Sequence, residues 1–350
     1  MKIERDKARI LSGVRHGLTT GAPVTLVIEN RDWPNWAELM DPLAPPPAKL
    51  SPRQQQLVKD ITKPRPGHGD LAGGIKWRQY DLRNVLERAS ARETAIRVVA
   101  GALVRQLLER FDFRFASHVI RIGSAVLDRE VDRADLGSLA AKAEASEVRC
   151  IDPAASRRMI EAIKQARRKK DSLGGVVEVI VRGAPAGLGS CAQWDLRLDS
   201  RLAAALMSIP SVKAIEIGLG FEAAGRYGSE VHDEIYYDPQ GDPARQCFHR
   251  TTNYAGGVEA GITNGEDIVA RLAVKPISTL NRPLRTVDVV TKKPARAMVE
   301  RADHCVVPAV AVIGEAIAAL VLADAFMAKF GSDSLVEIER SYRAFLESPY

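Results

Sequence analysis

Four cysteines occur in 350 residues, at positions 150, 191, 247 and 305, and no two form a C-x-x-C pair. Zinc ribbons and thiol–disulfide motifs need close pairs to chelate or exchange, so neither is supported. The thiols are read as free and buried, in a reducing compartment. Aromatics make up only 5% of the chain. None interleaves with the basic run Arg157, Arg158, Lys164, Arg167, Arg168, Lys169 and Lys170, where a nucleic-acid surface would use rings for stacking. That run is read as a solvated helix face, and no nucleic-acid partner is expected. The opening MKIERDKARI lacks an apolar core, so no signal peptide is expected. A single stretch, 306–323, is long and apolar enough to raise a membrane question. Pro308, Gly314 and Glu315 interrupt it, so a buried core helix is expected, and with it a cytoplasmic protein without membrane partner. No Walker A motif occurs. Gly218-Leu219-Gly220 follows a strand but lacks the third glycine of a dinucleotide fingerprint, since position 223 is alanine. His232, Asp233 and Glu234 are adjacent and cannot converge on one metal, so no metal site is expected.

What is present is ordinary globular material: 46% hydrophobic and 27% charged residues,. The 50 basic and 44 acidic residues leave a net charge of +6, a mild lean toward anionic ligands. Residues 8–29 read as two short strands around a Gly/Thr turn, and 45–47 (Pro-Pro-Pro) as a spacer or lid. Residues 63–92 are densely polar. A helix is expected over 91–110 with Ile96, Val99, Leu103 and Leu107 on its inner face. Asp152-Pro153 caps another, with Met159, Ile160 and Ile163 inward. GVVEVIVRGAP alternates as a strand, RLDSRLAAALMSI is helical and VKAIEIG is a strand. Residues 219–265 are Gly-rich and loop-like, RLAVKPIST is a strand, and a long helix spans 308–329. Mixed strands and helices without βαβ spacing give an α+β or layered α/β class.

Three motifs carry chemistry. Ser90-Ala91-Arg92-Glu93 is a capping box, in which Ser90 bonds the third amide and Glu93 reaches back. Arg88 and Arg92 flank that helix end, a place that suits a phosphate or carboxylate. The loop Pro64-Arg65-Pro66-Gly67-His68-Gly69-Asp70 is rigid and non-helical. It presents a histidine, the side chain suited to proton transfer near neutrality, beside an arginine. Lys275-Pro276-Ile277-Ser278-Thr279 ends a strand with a cation, a rigid turn and two hydroxyls, and Arg301-Ala302-Asp303 precedes the apolar C-terminal helix.

Taken in order, RPGHGDLAGGIKW, LERASARETAIRVVAGA, DSLGGVVE, RLDSRLAAA, TNYAGGVEAGITNG, VKPIST and RADHCVVPA resemble the chorismate synthase family over essentially the whole chain. The resemblance implies a β-α-β sandwich, a homotetramer, and a 1,4-anti elimination of phosphate from 5-enolpyruvylshikimate 3-phosphate. It implies reduced FMN (FMNH2) as cofactor, with NADPH as the reductant in some members. His68 then matches the histidine that protonates reduced flavin, and Asp303 the aspartate that works with flavin N5 as base. Arg65, Arg92 and Arg301 match arginines at the substrate anions, Arg301 also near FMN. Arg88, Ala89, Ser90, Pro210, Ser211, Ala260, Lys275, Pro276, Ile277, Ser278 and Thr279 match flavin contacts. His68 needs a pKa near the working pH, and Asp303 needs a dry site.

The sequence also departs from the family pattern. Its G-E-S-H-G opening and the Arg-rich segment after it do not occur here, and Ala260 stands where glycine is common. The expectation is one family-type domain over 1–350, truncated at its N-terminus, with weak or no turnover, since losing one proton-transfer group costs about 100- to 10,000-fold. Two alternatives stay open: a homologue that binds flavin or an anion without turnover, and, remotely, a basic nucleic-acid-binding protein.

Overall fold

The computed structural model describes residues 6–350 except 46, 58, 129–130, 301 and 349. The chain divides into two compact units, Met1–Ile96 with Ser278–Ala302, and Arg97–Ile277 with Asp303–Tyr350.

In the first unit the strand Ala8–Ser12 pairs antiparallel with Thr25–Ile28, as the two-strand reading of 8–29 expects. A small hairpin, Val14–Arg15 with Leu18–Thr19, lies between them. The polar stretch 63–92 contains two helices that composition hid, Asp70–Trp77 and Arg83–Arg88. Gly73 and Gly74 explain why. A Cβ on Gly73 would stand 2.4 Å from Val85 Cγ1, and one on Gly74 2.7 Å from Leu82 Cδ2. Glycine weakens the helical signal in sequence but lets this short pair close on Leu82 and Val85, both buried. A hairpin of Arg285–Val287 and Pro294–Arg296 joins them.

The second unit is built on a five-stranded sheet, wholly antiparallel. Its order is Ala125–Val126, Arg114–Ile122, Gly175–Arg182, Ile268–Val274 and Val212–Ile217. The strand Arg114–Ile122 pairs with Gly175–Arg182 but carries Arg114, Ser117, His118 and Arg121, so its sequence does not alternate. The helix Val307–Phe330 lies across the sheet, buried along most of its length. It is a core helix of the soluble kind: 67% of its apolar window is covered by protein. A Cβ on Gly314 would meet Val179 Cγ2 at 2.8 Å, so the missing side chain sets the helix–strand spacing. Glu315, an interruption in sequence, accepts from Ser117 Oγ at 2.5 Å and Arg105 Nη1 at 3.0 Å.

The helix expected over 91–110 is a 3-10 turn, Ala91–Glu93, running into an α-helix, Thr94–Glu109. Its inner face is not the expected one. Ile96 is exposed and Val99 and Leu103 are half-buried, whereas Thr94, Gly101 and Leu108 are buried. Gly101 decides this, because a Cβ there would fall 2.5 Å from Ala316 Cβ. Five of the aromatics, Phe111, Phe326, Phe330, Tyr342 and Phe345, form a chain of rings, with Phe111 and Phe326 centroids 4.7 Å apart. Burial there pushes the Tyr342 hydroxyl up to about 12. The basic helix Pro153–Arg168 exposes Arg157, Arg158, Lys164, Arg167 and Arg168 and buries Met159, as its pattern expects. No disulfide joins the four cysteines, but only Cys150 is buried; Cys191 is exposed, because it lies in an irregular segment rather than an element. The loop-like stretch 219–265 contains two short hairpins, Ile235–Tyr237 with Phe248–Arg250 and Val258–Glu259 with Ile262–Thr263.

Candidate functional site

In the first unit the candidate residues converge on the loop before Asp70–Trp77. Gly67 takes a φ of +80°, a left-handed turn that glycine adopts freely,. The loop is laced down by the segment after Ile277: Ser278 Oγ donates to the Gly67 carbonyl at 3.2 Å, and Thr286 Oγ1 to that of Pro64 at 2.8 Å. Arg65 Nη1 donates to Thr279 Oγ1 at 2.8 Å. The structure thus brings together Arg65, His68, Ser278 and Thr279, which the sequence placed in two distant motifs. Arg65 is only 7% exposed. Its Nε and Nη2 also donate to Asp70, at 2.9 and 3.0 Å, so it is first of all a scaffold for this loop. His68 stays partly open, with 19% of its side chain exposed.

Asp70 is the residue that motif reading passed over. It is fully buried, and its carboxylate accepts from Arg65 and sits 2.6 Å from His68 Nδ1. The sequence shows it only as the last residue of the histidine loop, whereas in the structure it starts a helix whose dipole favours an anion,.

The segment 88–92 belongs to the same unit. Ser90 caps the 3-10 turn, but its Oγ accepts from the Arg92 amide at 3.3 Å, one residue earlier than the capping box expects. The Glu93 amide instead bonds the Ser90 carbonyl. The tighter 3-10 winding shifts the partner by one. Arg92 makes a two-pronged pair with Asp6, at 2.6 and 2.7 Å. Arg88 and Ala89 are exposed.

In the second unit the DSLGG segment is the organiser. Ser172 Oγ donates to the Ile277 carbonyl at 2.6 Å. The Leu173 amide donates to the His304 carbonyl, and His304 Nδ1 to that of Asp171, both at 2.9 Å. A Cβ on Gly174 would stand 2.2 Å from the Val274 carbonyl oxygen. That glycine therefore lets the backbone carrying Lys275, Pro276 and Ile277 lie against the segment that holds Asp303. Asp303 itself is exposed. The Lys275 amide donates to the Ser211 carbonyl at 2.8 Å, which adds Pro210 and Ser211 to the group. Ser211 takes a φ of +75°, a strained conformation for serine and of the kind found at ligand sites,. Burial, with the neighbouring Lys213 charge, lowers the Lys275 pKa.

Ala260 lies apart, in the turn of the 258–263 hairpin, where the Leu198 amide bonds the Gly261 carbonyl. Its φ is +50° and that of Gly261 is +83°, the pair of signs a type I′ turn requires. Arg301 lies outside the described residues. A polar cleft of about 560 Å³, lined by residues such as Arg226, Glu230, His232 and Tyr254, opens elsewhere in the second unit. It contains no sequence-predicted site residue, and its charges are spent locally: Arg226 pairs with Glu222, and Glu230 caps the Tyr227 amide.

The family model described as chorismate synthase matches residues 1–327. A chorismate synthase from Symbiobacterium thermophilum is 54% identical over 347 residues, covering 99% of this chain and 86% of that protein. One from Moorella thermoacetica is 52% identical over 350 residues, covering 99% and 87%. A crystal structure of chorismate synthase superposes with a TM-score of 0.75 at 40% identity, covering 98% of this chain and 84% of the other.

Proposed function

This chain belongs to the chorismate synthase family, and on that premise we propose which of its residues serve the reaction. It is a lyase of aromatic amino-acid biosynthesis that takes a small-molecule substrate, 5-enolpyruvylshikimate 3-phosphate, and eliminates phosphate to give chorismate. A proton and a phosphate leave in the 1,4-anti sense, so a proton acceptor and a set of cations are needed.

The observation that carries the residue-level reading is His68. Its imidazole is partly exposed and held at one nitrogen by a buried carboxylate, which leaves the other to move a proton. Asp303 is the base candidate. It is exposed, so the dry surroundings that would strengthen it as a base come with the bound molecules. Arg92 holds a substrate carboxylate or phosphate in place of Asp6, the carboxylate that now occupies its guanidinium. Arg65 contributes mainly by fixing the loop. Ser211 and Lys275, both in the second unit, fit the flavin contacts that they match in the family. Reduced FMN, when bound, lends electron density to the elimination with no net redox change. The protein is further read as cytoplasmic and homotetrameric.

The test is an anaerobic assay with photoreduced FMN and the phosphorylated substrate. His68→Gln lowers kcat by about 100-fold or more, while flavin binding followed by absorbance is unchanged. Near-normal turnover of that variant overturns the assignment.

A further inference from the structure

The geometry around His68 assigns a role to a residue with none so far. Asp70 opens the helix Asp70–Trp77 and is fully buried. Its Oδ2 accepts from the Arg65 amide at 3.0 Å and from Arg65 Nε at 2.9 Å. Its Oδ1 accepts from Arg65 Nη2 at 3.0 Å and lies 2.6 Å from His68 Nδ1. Burial by itself would raise this carboxyl's pKa. Hydrogen bonds from His68 and Arg65, with the Arg65 charge, outweigh it and hold the group far below the usual carboxylate range. Asp70 is therefore ionised, and an ionised carboxylate only accepts. Nδ1 must carry the hydrogen.

Arg65 closes off one alternative. Its Nη2 lies 3.1 Å from Nδ1 and 3.3 Å from Nε2 of the same ring. An approach in the ring plane at those distances would drive Nη2 into the Cε1 carbon between the two nitrogens. The guanidinium therefore rests over the ring face. It packs the imidazole flat without taking up the in-plane lone pair of Nε2.

We propose that Asp70 is the positioning residue of His68: it locks the neutral imidazole in the Nδ1–H tautomer and turns Nε2 outward as the working nitrogen. The proposal rests on the catalytic reading of His68 given above. In the step so served, the proton leaves from Nε2 of the imidazolium and the ring returns to its neutral form. The Nδ1 hydrogen stays on the ring, and no proton passes to Asp70. The arrangement parallels the buried aspartate of hydrolytic triads, whose work is tautomer and orientation rather than proton relay.

The experiment is 15N spectroscopy of the full chain labelled at histidine, with the His68 resonances identified by their loss in His68→Gln. In its neutral form, His68 should show a protonated Nδ1 and a bare Nε2. A neutral ring protonated at Nε2 overturns the proposal, and this measurement needs no variant at Asp70. In Asp70→Asn the two tautomers mix, kcat falls by about 100-fold and KM moves by less than about 3-fold. A folded Asp70→Asn chain with unchanged kcat also overturns it. Full activity in His68→Gln with a correct tautomer would instead sink the catalytic reading and leave the positioning intact.

Discussion

At the scale of single residues, Ser211 and Ala260, both proposed here as flavin contacts, are among the non-glycine residues at positive φ. At Ala260 the strain has a simple reading, because the second half of a type I′ turn follows it. An L side chain in this region costs on the order of 1 kcal/mol. Ala260→Gly is therefore expected to raise stability by about 0.5–1 kcal/mol, which thermal unfolding would register as a rise of about 1–3 °C. A lower melting temperature would mean that the alanine methyl is held by packing. Candidate residues such as His68 and Lys275 were legible in sequence because proline and glycine around them announce a fixed loop. Asp70 was not, since an aspartate at a helix start is ordinary until its partners are seen. Glu315 shows the same limit: in sequence it only interrupts an apolar run, whereas in the fold it satisfies Ser117 and Arg105.

At the scale of elements, two glycines set helix distances and should respond differently to the same change. A Cβ on Gly101 would strike Ala316 at its Cβ, Cα and carbonyl oxygen, at 2.5–2.6 Å, and the backbone atoms there cannot yield. Gly101→Ala is expected to cost about 1–3 kcal/mol by overpacking, although alanine is the better helix former. A Cβ on Gly314 would meet only the end of the Val179 side chain, at 2.8 Å. Gly314→Ala should cost less than Gly101→Ala, because a single side-chain carbon rather than backbone must shift. Chemical denaturation of the two variants checks the order, and the reverse order would remove the backbone-contact explanation. The same contact explains why periodicity placed the inner face of the 94–109 helix wrongly. Ile96, Val99 and Leu103 form the more apolar stripe, but the face that closes on a neighbour is the one small enough to approach it.

At the scale of the whole molecule, each unit carries a buried carboxylate whose pKa is lowered, Asp70 in one and Glu178 in the other. For Glu178 burial raises the pKa, but hydrogen bonds and charge from His118 and Arg133 outweigh it. A group whose folded pKa is depressed adds stability above its unfolded value, here 4.5 for Glu178 and 3.8 for Asp70. That stability is lost as the pH falls through the folded values. The melting temperature should therefore be flat above about pH 5 and drop below about pH 4. Glu178→Gln, folded but less stable at pH 7, should show a shallower acid limb. An acid limb as steep as the parent's would show that Glu178 is no part of it.

By itself the sequence determined those elements whose local pattern is strong. The strand Gly175–Arg182, the helices at Pro153 and before Gly331, and the rigid histidine loop all stand where local pattern put them, because backbone preference and apolar periodicity act over a few residues. The series of motifs likewise sufficed to place the chain in its family. Only the tertiary structure decided who partners whom. Arg65 meets Thr279 across 214 positions of sequence, and Ser172 meets Ile277 across 105. Such pairings depend on where the packed core leaves two backbones, and a hydrogen bond that selects its partner at 3 Å leaves no period or spacing behind to be read.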